Sequence, residues 1–580
     1  MMNLAHFGTR ELLRSAAAPA RPAVARHGEK RGQSQNFRKF FSASFANGGL
    51  TVATPDETIS IQVETSASYV SPFEPCPKST HTLQDLAALL ALTLLIVLPN
   101  LGQTHYLANR EIRHAEIIRE MAESQDYVVP HLLGEVYYDK PPVMHAAAAM
   151  LTRWWGQPSM FLARFPSALA ALGTVWVTYG LGRVMSGRAV ALVGAAALLA
   201  TPGFSIMARD ARPDTILCFA IIGCCLALAL GMKDSRRGIR AGWFTVAGAA
   251  AGLGVITKGP YGLLFPLVFA VLSPFRREDW KRPRLGWLGF AAALFGVAGL
   301  WVVPAYLQAG GHYLHDVIFQ KDLNVFEHAS SWYNLIAPAI FLSLPMIVFL
   351  PMAIRDWRRH GYSAPLACAA AIFVIVQAVP KKRSHYLEPM YPFLALGLAM
   401  TIVRHAAESK RTRRLAWAAM AIGLIITPLY FGVALRWIER GEDPALQVAR
   451  EVLNAVKPAG QIYNATYLNE AMAWVGRDYR RLKEIDLADP HATAQLREAP
   501  AGSYILITQA QQARLQQSVG NLPLETVASF EWPKRRLSAI INHSNQQSRE
   551  VIILRVGNGP SSFPNRESRR SRNLSLAVCR

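Results

Sequence analysis

Between Leu86 and Trp437 the chain returns repeatedly to stretches of about 20 apolar residues, the length that crosses a hydrocarbon core of about 30 Å. Backbone in such a core has no water to bond to, which leaves helices as the structure for segments of this kind. Composition agrees: 51% of the 580 residues are hydrophobic and 17% are charged, against about 25% charged in a soluble domain. The spans fall near 86–102, 162–182, 188–206, 214–232, 241–257, 260–275, 286–308, 335–354, 363–380, 388–404 and 414–436. The expected fold is therefore mainly α, a polytopic transmembrane helical bundle of about eleven spans.

The formal charge of +22 does not point to nucleic acid, because Lys and Arg collect in short loops and in the two tails, with no recognition helix or aromatic–basic repeat. With the N-terminus in the cytoplasm, the loops GRVMSGR, KDSRRGIR, FRREDWKRPR, RDWRRH and RHAAESKRTRRL all lie inside, as the positive-inside rule requires. The six cysteines, Cys76, Cys218, Cys224, Cys225, Cys368 and Cys579, form no CxxC pair and read as small apolar filler.

Four segments follow. Residues 1–82 are a basic segment without helical apolar periodicity, read as disordered, and no signal peptide is evident before the first apolar run. Residues 83–437 are the membrane domain. Residues 438–557 lose apolar density and show short strand-like runs at 503–508 and 551–556 and an amphipathic helix at 444–457, a small extracytoplasmic α/β domain. Residues 558–580 are a Ser/Arg-rich tail, again read as disordered.

The outer loops carry charge of both signs. In 109–146, Ala115, Ile118, Met121 and Ala122 make an apolar face on a helix whose other side holds Glu111, Arg113, Glu116, Arg119 and Glu120. Such a helix either lies flat on the membrane or is a solvated helix laced with ion pairs. YYDKPP then sets Asp139 and Lys140 before Pro141 and Pro142, whose fixed φ displays one acid and one base, unless the prolines only make a rigid turn. ARDARPD supplies Arg209, Asp210, Arg212 and Asp214, TKGP supplies Lys258, and KKRSHYLEP supplies Lys381, Lys382, Arg383, His385 and Glu388. Cations converging at outer helix ends suit an anionic lipid headgroup, and a carboxylate among them suits proton abstraction.

The string E-x-R-H-A-E-I-x-R-E-M-x-x-S-x-D-Y-x-V-P-x-x-x-G-x-x-Y-Y-D-K-P-P resembles the first periplasmic loop of the GT-C membrane glycosyltransferases, above all the lipid A aminoarabinose transferases and the dolichyl-phosphate-mannose–protein mannosyltransferase-like bacterial proteins. ARDARPD, TKGP and KRSHYLEPMYP follow in the family's order, and the resemblance covers about 85–440. It implies a GT-C bundle in the bacterial inner membrane with its active site facing the periplasm. It also implies a polyprenyl-phosphate sugar as donor, and an envelope glycolipid, protein or polysaccharide as acceptor. By the same resemblance, Lys140 binds the donor phosphate, with Arg113, Lys258, Lys382, Arg383 and His385 beside it.

The family's usual catalytic Asp falls on Arg110, which cannot serve as a base at neutral pH. Glu111 with Asp214 in support is the preferred catalytic pair. Asp214 as the principal base, or an inactive relative, remain the alternatives. Asp139 matches an acid that in some relatives helps to hold a divalent metal, but the partner His falls on Lys321 and a common Arg on Val325, with His312 and His328 nearby. A metal is thus not required by the pattern. A transporter or flippase for a lipid-linked sugar is the competing class, and it would be expected to show internal repeats, which this chain lacks.

Overall fold

The computed structural model describes residues 42–46, 49–53, 58–62 and 81–557, the latter without 104–110, 276–283, 321–332, 380–381, 435–442, 459, 467, 488, 520–521 and 532–549. The chain divides into two compact units, Met1–Val70 and Ser71–Arg580. In the first, strands β1 (Ser42–Ala46), β2 (Gly49–Ala53) and β3 (Thr58–Gln62) pair as an antiparallel meander, with Ser42 opposite Ala53 and Leu50 opposite Ile61.

The second unit opens with α1 (Thr82–Val97), followed by α2 (Glu111–Ser124), the short hairpin β4 (His131–Leu132) and β5 (Glu135–Val136), and α3 (Val143–Trp155). The apolar helices are α4 (Met160–Leu199), α6 (Asp214–Lys233), α7 (Arg237–Lys258), α8 (Tyr261–Leu272) and α9 (Arg284–His315), with the short α5 (Pro202–Met207) between α4 and α6. They continue through α10 (Ile336–Phe341), α11 (Leu350–His360), α12 (Ala364–Ala378), α13 (Met390–Glu408) and α14 (Lys410–Leu429). Among the described residues, five helices are long and apolar enough to cross a membrane, namely Met160–Leu199, Asp214–Lys233, Arg237–Lys258, Arg284–Ile318 and Met390–Glu408. The protein is an integral membrane protein with a helical bundle.

The expected spans at 162–182 and 188–206 correspond to two helical segments within α4 that meet at Gly187, where the backbone is not helical (φ 86°) and the chain folds back, so that a Cβ on Gly182 would lie 2.9 Å from the Ala191 Cα. The span at 335–354 is not continuous: α10, a 3₁₀ turn at Met346–Phe349 and α11 replace it, because Pro338, Pro345 and Pro351 each remove a helix donor.

The bundle core joins Leu89 and Ile96 of α1, Val175 of α4, Ile221 of α6, Phe269 of α8 and Phe393 of α13. Helices α7 and α9 approach so closely that a Cβ on Gly248 would lie 2.1 Å from the Phe290 carbonyl oxygen, and one on Gly252 2.9 Å from that of Leu294. Small residues four apart on one face let backbones meet in this way. Gly248→Ala is expected to cost about 1–3 kcal/mol through overpacking, seen as a lower thermal midpoint in detergent. Gly238→Ala on the same helix meets nothing within 4 Å and is expected to leave the midpoint unchanged or raise it.

The basic loops gather at one end of the bundle. Arg188 forks onto Asp85 at the start of α1 (2.6 and 2.7 Å), and Arg183 reaches Thr82 at 3.0 Å. Lys233 donates to the Val184 carbonyl, and His405 bonds Asp356 at 2.8 Å. Helices α6 and α7 run from that end and back, so that Asp214 and Lys258 meet at the other.

After α14 come α15 (Pro444–Ala455), β6 (Ile462–Asn464), α16 (Asn469–Gly476), β7 (Leu482–Glu484), α17 (Pro490–Arg497), β8 (Tyr504–Thr508), α18 (Gln512–Val519), β9 (Leu524–Glu531) and β10 (Glu550–Val556). The sheet order is β7-β6-β8-β10-β9, parallel across β7, β6 and β8 and antiparallel at β10 and β9. The runs at 503–508 and 551–556 are strands of this sheet and, like β6, are covered on both faces, over Tyr504–Ile507 and Val551–Leu554.

Helix α2 departs from both forms expected of it. Ala115, Ile117, Ile118 and Met121 are buried, and so are Glu116, Arg119 and Glu120 of its polar side. It is enclosed between α3 and the C-terminal sheet domain, sharing a core with Leu446, Val452, Met472 and Leu506. Arg119 forks onto Glu116 (2.5 and 3.0 Å) and reaches Glu123, while Arg113 bonds Glu470 of α16 at 2.6 and 2.8 Å. The i,i+3 and i,i+4 ion pairs expected of it are present, but Glu116 and Arg119 are buried, and Arg113 is turned to the C-terminal domain.

Candidate active site

The site lies at the end of the bundle opposite the basic loops. Its first support is Glu120, whose carboxylate accepts from the backbone N–H groups of Leu133 (2.6 Å) and Gly134 (3.0 Å). Gly134 has φ +81°, and a Cβ there would strike the ring of Tyr479 at 2.7 Å, so the turn needs glycine. The turn fixes the hairpin that leads into Tyr137, Asp139 and Lys140, and α3 begins directly after Pro142. The Tyr137 hydroxyl donates to Asp139 at 3.1 Å.

Lys140 stands among Asp214, Lys258, Arg212 and Arg383. Burial, helped by the three cations and opposed by Asp214, brings its ammonium down to about 8. Lys258 pairs with Asp214 and lies 4.2 Å from the centre of the Tyr386 ring, a cation–π contact. Arg212 approaches Asp210 at 3.4 Å and donates to His385 Nδ1 at 3.1 Å. Burial, and next to it the cations Lys258, Arg212 and Lys140 against Asp214, keeps the His385 ring neutral, its pKa down to about 3, so Nδ1 is an acceptor. Four segments distant in sequence thus meet around four cations and two carboxylates, Asp210 and Asp214.

The remaining expected residues fall as follows. Arg383 is in the cluster, and Lys382, partly buried, is its chain neighbour. Arg113 is turned to Glu470 instead. Glu111 is buried and held fork to fork by Arg164 (2.6 and 2.9 Å), and it also accepts from the Ala211 N–H at 3.0 Å. Asp139 joins no group of three or more metal-ligating side chains among the described residues. Arg110, Lys321, Val325, His328 and Lys381 lie outside the described residues.

Several side chains gain a place that their sequence context did not announce. Arg164, inside an apolar span, holds Glu111 and also donates to the carbonyls of Leu101 (2.6 Å) and Gln103 (2.8 Å). Arg209 caps the end of α1 through the carbonyls of Ile96, Val97 and Pro99, at 2.5 to 3.1 Å. Asp210 keeps 15% of its side chain exposed, and burial together with the charge of Glu111 lifts its carboxyl to about 7. His114 and His145 share a buried hydrogen bond of 2.9 Å beside Tyr137. Both rings are kept neutral, by burial first.

Comparisons with known proteins agree with the resemblance drawn from the loop strings. The family model described as dolichyl-phosphate-mannose-protein mannosyltransferase matches residues 139–302. The undecaprenyl phosphate-alpha-4-amino-4-deoxy-L-arabinose arabinosyl transferase of Edwardsiella ictaluri is 28% identical over 321 residues, covering 53% of this chain and 57% of that protein. Its namesake from an Enterobacter species is 25% identical over 367 residues, covering 61% and 65%. The chain thus spans less than two thirds of the length of these curated relatives. The crystal structure of ArnT from Cupriavidus metallidurans bound to undecaprenyl phosphate superimposes with a TM-score of 0.64 at 18% identity, over 83% of this chain and 99% of that one. The two chains share a fold.

Proposed function

We propose that the protein is a membrane glycosyltransferase that takes a sugar from a polyprenyl-phosphate carrier and places it on an acceptor at the outer face of the bacterial inner membrane. One observation carries the reading: Lys140, Lys258, Arg212 and Arg383 converge around Asp214 at the bundle end opposite the basic loops. Four cations against Asp210 and Asp214 leave an excess of positive charge, which a phosphate would meet. A sugar leaving from a lipid phosphate develops charge on the phosphate oxygens, and fixed cations aimed there stabilise it. The relatives named for undecaprenyl phosphate-linked aminoarabinose support the same donor class.

In this reading the N-terminus is cytoplasmic, the bundle crosses the membrane about eleven times, and residues 438–557 form the extracytoplasmic domain that covers α2 and the donor loop. Lys140, Arg383, Lys258 and His385 hold the phosphate, with Lys382 at the rim and Arg113 fixing α2 to the outer domain. Glu111, Asp214 and Asp210 are the carboxylates of the site. Glu111 and Asp214 are each held by a short cation contact, whereas Asp210, which meets Arg212 at 3.4 Å, partly exposed and near neutrality, is the group best able to accept the proton of an acceptor hydroxyl.

The test is transfer from a radiolabelled polyprenyl-phosphate sugar by the full chain in nanodiscs. Lys140→Ala is expected to lower transfer by about 10²–10³. The native chain should also lose donor affinity as pH rises through about 8, because Lys140 is a phosphate ligand only while charged. Full transfer by the Ala variant would show that the donor phosphate binds elsewhere. Binding of the carrier lipid with movement across the bilayer, and no transfer, would favour a flippase.

A further inference from the structure

The end of α3 leaves its two largest side chains uncovered: Trp154 is 83% exposed and Trp155 73%. The long apolar helix α4 begins at Met160, with Phe161 on its first turn also exposed. Arg183, toward the far end of that helical segment, reaches Thr82 at the basic end of the bundle, so Met160 lies at the active-site end. Tryptophans where an apolar helix meets the bilayer surface stand at the level of the lipid headgroups. In the stretch between Trp155 and Met160, Pro158 forms one wall of a cavity of about 230 Å³, whose other walls are Arg450 of α15 and Trp474, Val475 and Arg477 at the end of α16. Arg477 Nη1 donates to Gln157 Oε1 at 2.9 Å, which joins the C-terminal domain to the loop before α4.

The cavity combines two guanidinium groups with an indole, and none of the described residues lining it is acidic. A guanidinium matches phosphate oxygens as a planar fork. Trp474 packs partly into the core shared with α2 and lines the cavity as well. Arg477 closes α16 with φ 53°, a left-handed conformation that glycine or asparagine adopts more readily. A long cation at a strained position signals a task for its side chain. The volume is below the about 300–1,000 Å³ of sites that enclose a drug-sized ligand, which suits a headgroup and not a whole lipid. None of these residues belongs to the cluster around Lys140. We propose that this cavity binds the phosphate headgroup of an anionic phospholipid from the leaflet at the active-site end, with Trp154 and Trp155 beside its glycerol and upper acyl chains. The lipid then ties α15 and α16 to the loop that leads into α4. The same stretch supports the donor hairpin, since the Arg477 carbonyl accepts from Arg119 of α2 at 3.4 Å and the Tyr479 ring lies against Gly134.

The test is lipid retention by the full chain in detergent, read by native mass spectrometry during titration with phosphatidylglycerol or phosphatidylcholine. The native chain should hold one phosphatidylglycerol in preference to phosphatidylcholine. Arg450→Gln and Arg477→Asn should each weaken that one lipid about fivefold, and the two together about 25-fold, from the contribution of one arginine near a lipid surface. Asparagine tolerates the left-handed backbone, so Arg477→Asn removes the charge and leaves the turn. Phosphatidylglycerol should raise the thermal midpoint of the native chain more than that of the double variant, whose midpoint without added lipid shows that it is folded. Equal retention of the two lipids by the native chain overturns the proposal, as does undiminished phosphatidylglycerol binding by the double variant. Inorganic phosphate or glycerol 3-phosphate binding to the native chain as tightly as the lipid, with the same loss in the double variant, would make this a site for a free anion and overturns the lipid assignment. No arm of the test uses sugar transfer, so its outcome is independent of the donor-site reading.

Discussion

Arg164→Ala is expected to destabilise the folded chain by about 3–5 kcal/mol, the cost of removing one partner from a buried ion pair. Glu111 has no exposed surface on its side chain, and 8% of that of Arg164 is exposed. Without Arg164 the carboxylate loses its two-pronged donor, keeping the Ala211 N–H, and the carbonyls of Leu101 and Gln103 lose the guanidinium as well. The loss joins three places at once, because the guanidinium ties the segment after α1 to the start of α2, and Glu111 in turn holds the turn before α6 through the Ala211 N–H. A lower thermal midpoint and a smaller monodisperse fraction in detergent are the measurements. The paired change Arg164→Met with Glu111→Met removes both charges and is expected to recover part of the loss, not all of it, since the two carbonyls remain without their donor. Equal stability of the single and double variants would mean that the buried charge is not what Arg164 offsets.

Why some of this was legible in the sequence and some was not follows from the range of the interactions. Lys140 could be found because its constraint is local: a charged pair before two prolines, with Gly134 and Pro130 just upstream. Lys258, Arg383 and His385 could be found because each sits at an apolar helix end on the side the positive-inside rule leaves poor in cations. Arg209 and Asp210 are neighbours in one string, and nothing in the string says that the first caps α1 while the second faces the cluster; contacts over more than 110 residues decide it. Helix α2 was misjudged for the same reason, since what covers its polar face is Glu470 and the backbone of Arg477, some 350 residues on. Arg164 left a usable signal. A lone Arg inside an apolar span is costly enough that it needs a named partner, and Glu111 was already in view. The His114–His145 pair left none, because residues 31 apart on two helices carry no period that joins them.

The role of Asp210 separates the carboxylates by experiment. A general base has to be unprotonated, near the proton it takes, and close in pKa to the working pH. Glu111 is tied on both oxygens and Asp214 is paired with Lys258, whereas Asp210 meets Arg212 only at 3.4 Å and retains exposure. Asp210→Asn is therefore expected to lower kcat by about 10² or more, within the range a positioned base contributes, while donor affinity changes by a few-fold at most. Because the Asp210 carboxyl sits at about 7, native transfer should fall as pH drops through that value and the carboxyl takes up a proton. The residual activity of the Asn variant should show no such acid limb. Glu111→Gln is the companion measurement. Its expected signature is loss of thermal stability, with kcat of the surviving folded fraction reduced less than in Asp210→Asn. The reverse pattern, a stable Glu111→Gln without turnover beside an active Asp210→Asn, would return the base to Glu111 and make Arg164 the group that orients it.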